Sequence, residues 1–288
     1  MLKKLIKHDL KYGVRMFAVL HIILIIGCLM ARFLVIDHLD FSADPEEFAP
    51  VIALLIVVLT MLFSAISFGC CIMYAVRFYK NLFTDEGYIT WTLPASPLTQ
   101  LWAKILSASI WYVLDLTICF AAAWFLISGD NIQSALERIK PDFQAALGMS
   151  FSSFCGLVAF FSFVGILSCV LFIYTSIAIG QLVPAHRIIV SIAVYFILNL
   201  ITQIISIGVS IITSVFPDYV FSPAQTSFSE YFFQMLLIGT CTTTVLAIAG
   251  YFITYRIFAK KSEFDLKEGI EAHPPGCRSI PFTDLFSI

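Results

Sequence analysis

The sequence predicts an all-α, polytopic membrane protein with six transmembrane helices, an N-terminal amphipathic interfacial helix and both termini cytoplasmic. Three observations carry this. Hydrophobic residues make up 60% of the 288. Charged residues make up only 12%, where a soluble domain carries roughly a quarter, too few to coat a water-exposed surface of this size. Apolar runs of about 20 residues, the length that crosses a ~30 Å hydrocarbon core as a helix, recur along the chain. The 28 Phe demand burial and exclude disorder. A net charge of −2 with no strongly basic block speaks against nucleic acid as a partner.

The chain opens on a basic helix. At about 100° per residue, Lys3, Lys4, Lys7, Lys11 and Arg15 gather on one side, with Leu2, Leu5, Ile6, Leu10 and Gly13 on the other. Residues 1–16 therefore read as an interfacial helix with its cations near anionic lipid heads. The first span follows at 17–36. Its basic start and the run Ile25-Ile26-Gly27-Cys28 resemble a lipoprotein signal. Residues 29–36 stay apolar where a mature lipoprotein turns polar, so an uncleaved span is the better reading. The remaining spans run 51–76, 105–127, 149–183, 188–215 and 231–255. Only helices can cross lipid as single segments, because each pairs its own backbone groups. The fourth and fifth exceed the core and must tilt, kink or project. Pro184 marks the stop between them.

Loop charges orient the spans. Of 17 Lys and Arg, only Arg32, Arg138 and Lys140 lie on the side opposite the termini. That opposite side is acidic instead, with Asp37, Asp40, Asp44, Glu46 and Glu47 in its first loop alone. Basic loops stay cytoplasmic, so both termini point in. None of the outer loops approaches the ~50 residues of a folded domain.

The cytoplasmic stretch RFYKNLFTDEGYITWTLPASPLTQLWAK, residues 77–104, is too long for a turn and too short for a domain. RFYKNLF extends the second helix. Asp85-Glu86-Gly87 stops it. Ser96 then Pro97 start the third helix as N-cap and first helical residue. Leu82, Phe83, Tyr88, Trp91 and Leu93 form an apolar cluster that packs on the protein's own helix ends or meets a partner.

The run FYKNLFTDEGYITWTLPASPLTQLWAKIL, after two spans and an N-terminal MLKKLIKHDLKYGVRMF, resembles bacterial ATP-binding-cassette (ABC) exporter permeases of the second type, Firmicutes-like. The stretch SIAIGQLVPAHRIIVSIAVY, residues 176–195, is similar to the turn between their fourth and fifth spans. The resemblance covers about residues 1–261. It implies a six-span permease domain over 1–261, with the loop at 77–104 coupled to a separate cytosolic ATP-binding subunit. It implies ATPase-coupling roles for Lys80, Asp85, Glu86, Tyr88 and Trp91, and a second permease copy or a paralogue as partner. The tail at 262–288 lies outside it.

Polar residues within the spans are costly and few. Asp115 sits near the middle of the third span, where a charge costs about 2.5–3.5 kcal/mol or more. It reads either as a proton relay or as a hydrogen-bonded residue between helices. His21 reads as a hydrogen-bonded interface residue rather than a ligand. Asn199 and Gln203, continued by Ser206 and Ser210, line one face of the fifth span as helix glue or as a path. Gly239, Thr243 and Ala247 make a small-residue packing face on the sixth. Arg32 is placed to reach the outer interface near Asp37. Seven of the eight Cys lie in spans as small apolar residues, without zinc-ligand spacing. Cys277 with His273 is a weak metal pair, so no metal and no cofactor is expected.

No phosphate loop, HExxH or GxSxG occurs, and no filter sequence or Arg-rich voltage sensor. The expected function is thus a non-catalytic permease subunit in a bacterial cytoplasmic membrane. It would move a hydrophobic or amphipathic cargo with ATP hydrolysed by its partner. The rivals are a proton-coupled secondary transporter centred on Asp115 and a non-transporting scaffold or sensor.

Overall fold

A computed structural model of the chain describes residues 1–39, 45–84, 95–221 and 228–270, with side chains except at 45–47, 130, 218, 221 and 261–270. Among the described residues the regular structure is helical throughout: α1 Leu2–Leu34, a 3-10 turn Ile36–His38, α2 Pro45–Phe83, α3 Pro97–Ile127, α4 Asp130–Leu147, α5 Phe151–Gly180, α6 Arg187–Ile212, α7 Val215–Phe221 and α8 Phe228–Ile270. Six of them (α1, α2, α3, α5, α6 and α8) are long and apolar enough to cross a membrane. The protein is an all-α, multi-pass membrane protein.

Three elements differ from the sequence expectation, each for a local reason. The basic N-terminal segment is helical but is not a separate helix, since α1 runs unbroken for 33 residues. At 1.5 Å per residue that is about 50 Å, longer than the hydrocarbon core. Its buried positions are Asp9, Gly13, Phe17, His21, Leu24, Cys28 and Ala31, three or four residues apart. The same face stays covered through residue 16, so nothing there favours a break. The second outer loop contains a helix, α4, despite Pro141 within it. It is capped at its end by Gly148 at φ 66°, the left-handed position where a Cβ would be strained. The fifth span stops early: Ser214, at φ 61°, ends the run at α6 and begins the short α7.

The chain divides into two compact units, each with its own core. One unit comprises Leu10–Met73 and Ile110–Ala159. Its centre is Leu24, Cys28 and Ala31 of α1, Ile66 of α2 and Leu126 of α3, with Ile36. Gly27 and Gly69 admit Leu62 and Leu20 against the facing helix. Arg32 closes one end of this core. Its guanidinium lies 4.4 Å from the Phe125 ring centroid. It also donates to the Phe125 carbonyl and pairs with Asp37 at 3.8 Å. Asn131 of α4 donates to the carbonyls of Asp37 and Leu39 at 3.2 and 3.3 Å, which fastens α4 to the 3-10 turn.

The other unit comprises Met1–Asp9, Tyr74–Ser109 and the described part of Phe160–Ile288. Aromatic rings bind its helices. Phe78 of α2 stacks on Tyr174 of α5 with centroids 3.8 Å apart, and on Phe258 of α8 at 5.7 Å. Phe83 meets Phe258 edge-on at 5.8 Å. Such pairs contribute about 0.5–1.5 kcal/mol each beyond burial. Hydroxyls join α5 to α8, where Thr254 donates to the Thr175 hydroxyl at 3.1 Å.

On α8, Ala247 is fully buried, and Thr243 donates to the Gly239 carbonyl at 2.7 Å. A Cβ on Gly239 would meet nothing within 4 Å. The close approach lies three turns on, at Gly250, where a Cβ would stand 2.6 Å from Thr175 Oγ1. Gly250→Val is therefore expected to cost about 1–3 kcal/mol through overpacking. Gly239→Ala should stay within about 0.5 kcal/mol. Thermal unfolding of the two variants in detergent, followed by tryptophan fluorescence, measures the contrast.

Candidate functional site: a buried polar cluster on three helices

Asp115 of α3 and His21 of α1 are each 4% exposed. Their side chains meet, with Nε2 of His21 2.9 Å from Oδ1 of Asp115. Ser67 of α2 donates to the other carboxylate oxygen at 2.9 Å. The thiol of Cys70 lies 3.7 Å from Oδ1. Helical spacing builds this convergence. Phe17 and His21 are one turn apart on α1, Ser67 and Cys70 on α2, and Trp111, Asp115 and Cys119 on α3. Phe17 stacks on His21 at 3.8 Å and packs on Trp111 at 4.4 Å. Cys119 lies beside Ser67.

The proton positions follow from the partners. Nδ1 of His21 is 2.8 Å from the Phe17 carbonyl, which can only accept, so Nδ1 carries a hydrogen and donates it. Nε2 and Oδ1 both hold lone pairs, so a contact of 2.9 Å needs one proton between them. The pair is neutral overall wherever that proton sits, which lowers the cost of burying an acid in an apolar interior. The cluster also offers chemistry beyond hydrogen bonding. His21, Cys70 and Asp115 each present one metal-ligating atom, and these atoms all lie within 4.8 Å of one another.

The other polar residues of the spans stay apart from this cluster. Asn199 donates to the Tyr195 carbonyl of its own helix at 2.8 Å. Gln203 is exposed, and Ser210 donates to the Ile207 carbonyl at 2.8 Å.

A second buried cluster, in the other unit, went unread in the sequence. Both oxygens of Asp9 accept from Nζ of Lys104, at 2.7 and 2.6 Å. Arg77 adds a contact at 3.3 Å. Tyr174 donates to the Lys104 carbonyl at 3.1 Å. Read from the sequence alone, Lys104 falls at the end of the cytoplasmic stretch 77–104. The signal lay in the N-terminal helix: Asp9 falls on its apolar side, three or four residues from Leu5, Ile6 and Gly13, where an acid has no reason to stand unless it is paired.

Arg77 and Lys104 lie on the stems of the expected coupling loop. Lys80 is exposed in the last turn of α2. Leu82 and Phe83 just beyond it are buried against the protein's own helices. At the other stem α3 begins at Pro97, and Ser96 Oγ accepts from the Thr99 N–H at 3.3 Å, an N-cap. Asp85, Glu86, Tyr88 and Trp91 lie outside the described residues, as do Cys277 and His273.

Comparison with known protein families, with curated proteins and with solved structures finds no match for this chain.

Removing one member of a buried pair strands the other. Asp9→Ala is expected to destabilise the protein by about 3–5 kcal/mol, and the apolar double variant Asp9→Leu/Lys104→Met to recover most of it. At the other cluster, Asp115→Leu leaves Nε2 of His21 and the Ser67 hydroxyl unsatisfied, at about 1–3 kcal/mol each. Asp115→Asn can still donate to Nε2 and accept from Ser67, and should unfold close to wild type. Thermal unfolding in detergent tests both series.

Proposed function

We propose that the chain is the membrane-spanning permease subunit of a bacterial ABC exporter, driven by a separate cytosolic ATP-binding subunit. The cytoplasmic loop at 77–104, between the second and third spans, serves as the coupling segment, with Lys80, Asp85, Glu86, Tyr88 and Trp91 as its coupling residues. Two copies, or one copy and a paralogue, enclose the path. A hydrophobic or amphipathic cargo fits the apolar, Phe-rich walls.

One observation carries this reading. Both stems of the segment are locked to other helices of their unit. The Asp9 carboxylate ties the start of α1 to Arg77 on the α2 stem and Lys104 on the α3 stem. Phe78 and Phe83 press the α2 stem onto Tyr174 of α5 and Phe258 of α8. A push on such a handle moves five helices, α1, α2, α3, α5 and α8, rather than bending a loose loop. That is what coupling to an external motor requires, since packed interfaces shift as rigid bodies. The six spans, the charge asymmetry of the loops and the resemblance of the handle sequence support the same reading.

Co-purification is the test. An ATP-binding subunit should stay with the wild-type chain and be lost from Glu86→Arg and from Tyr88→Ala, with unchanged thermal unfolding of the permease. Vesicles holding both subunits should move cargo only with hydrolysable ATP. Transport that ignores nucleotide, follows a proton gradient and stops with Asp115→Asn would replace this reading with a secondary transporter. If the chain neither retains an ATPase nor moves cargo, it is a scaffold.

A further inference from the structure

We infer that His21, Cys70 and Asp115 form a binding site for one divalent transition-metal ion of the zinc class, with the fourth coordination position open to water. The inference does not depend on the exporter reading.

The donor set is nitrogen, sulfur and oxygen, the combination zinc-class ions take in four-coordinate sites with one open position. The three donors come from three helices, α1, α2 and α3, and lie within 4.8 Å of one another. Tetrahedral coordination at ordinary bond lengths separates such donors by roughly 3.3–3.7 Å. Cys70 Sγ already stands 3.7 Å from Asp115 Oδ1. The contact of 2.9 Å between Nε2 and Oδ1 has to open by about half an ångström, within the reach of a side-chain rotation.

Two further bonds hold the ligands in a metal-ready state. Metal-bound His characteristically donates its other ring N–H to a carbonyl or carboxylate. Nδ1 of His21 does so to the Phe17 carbonyl at 2.8 Å, which leaves Nε2 as the coordinating nitrogen. The Asp115 oxygen not facing His21 accepts from Ser67 at 2.9 Å, which fixes the carboxylate plane. Phe17, packed between Trp111 and His21, holds the imidazole in place.

Charge selects the valence. Without metal the site is neutral and holds two exchangeable protons, one on the Cys70 thiol and one between His21 and Asp115. A divalent ion displaces both. The sulfur–hydrogen bond breaks to give a thiolate, the shared proton leaves, and both protons pass to water. The product, M²⁺ with one thiolate, one carboxylate and one neutral imidazole, is again neutral. In an apolar interior a net charge is expensive, so a divalent ion replaces two protons where a monovalent or trivalent ion would leave a charge behind.

The test uses full-length protein in detergent, stripped with a chelator and then titrated with Zn²⁺ or Co²⁺. About one ion should bind per chain, with about two protons released per ion into weak buffer. Bound Co²⁺ should show a thiolate-to-metal charge-transfer band and visible bands of tetrahedral intensity. Cys70→Ser should abolish the thiolate band, and His21→Ala should abolish stoichiometric binding. Ser67→Ala, which keeps all three ligands, should weaken binding by roughly 10–100-fold. Cys71→Ser and the tail variant His273→Ala/Cys277→Ser should match wild type, and helical circular dichroism verifies the fold of each variant. The inference is overturned by folded wild-type protein that takes up no stoichiometric metal, by a thiolate band that survives Cys70→Ser, or by a band lost with the tail variant.

Discussion

In a hydrocarbon medium no water is at hand to pair a polar group, so each one that leaves the interface must find its partner inside the protein. That constraint governs the interior of this chain. Hydroxyls take the cheapest route, donating to a carbonyl one turn back on their own helix, as Thr202, Thr242 and Thr244 do. Such bonds demand nothing of the neighbouring helices. Acids and bases cannot be satisfied that way, and they draw helices together. The carboxylate of Asp115 gathers α1 and α2 onto α3 in one unit, and the carboxylate of Asp9 does the same in the other.

These two clusters differ in what they can do. Around Asp9 the Lys104 and Arg77 side chains face one carboxylate, and both its oxygens are engaged. Its role is to hold. Around Asp115 the partners are His, Ser and Cys, and the imidazole–carboxylate pair together with the thiol can trade two protons for a divalent Lewis acid without change of net charge. The second kind gives the apolar interior a chemically adjustable point.

Much of this could be read from residue order because the medium is so selective. A run of about 20 apolar residues has essentially one structure in lipid, so the span count follows from hydropathy. Ser96 and Pro97 favour a helix start, because one caps the free N–H groups and the other has none to offer. The site was legible only in part. Asp115 and His21 were conspicuous as expensive residues, whereas Ser67 and Cys70 looked like the ordinary small residues of an apolar helix. The helix α4 was hidden by Pro141 and by its charges, since an amphipathic helix at an interface lacks the continuous apolar run that marks a span.

Composition and order alone determined the all-helical class, the number of helices long and apolar enough to cross a membrane, and the charge asymmetry of the loops. Each of these is decided residue by residue through transfer free energy and local backbone preference. Which polar residues face one another was decided only by tertiary packing. His21 lies 94 positions from Asp115, and Asp9 lies 95 from Lys104. The rotation of each helix about its axis is set by how side chains of different helices fit together, which no periodicity within a single helix records.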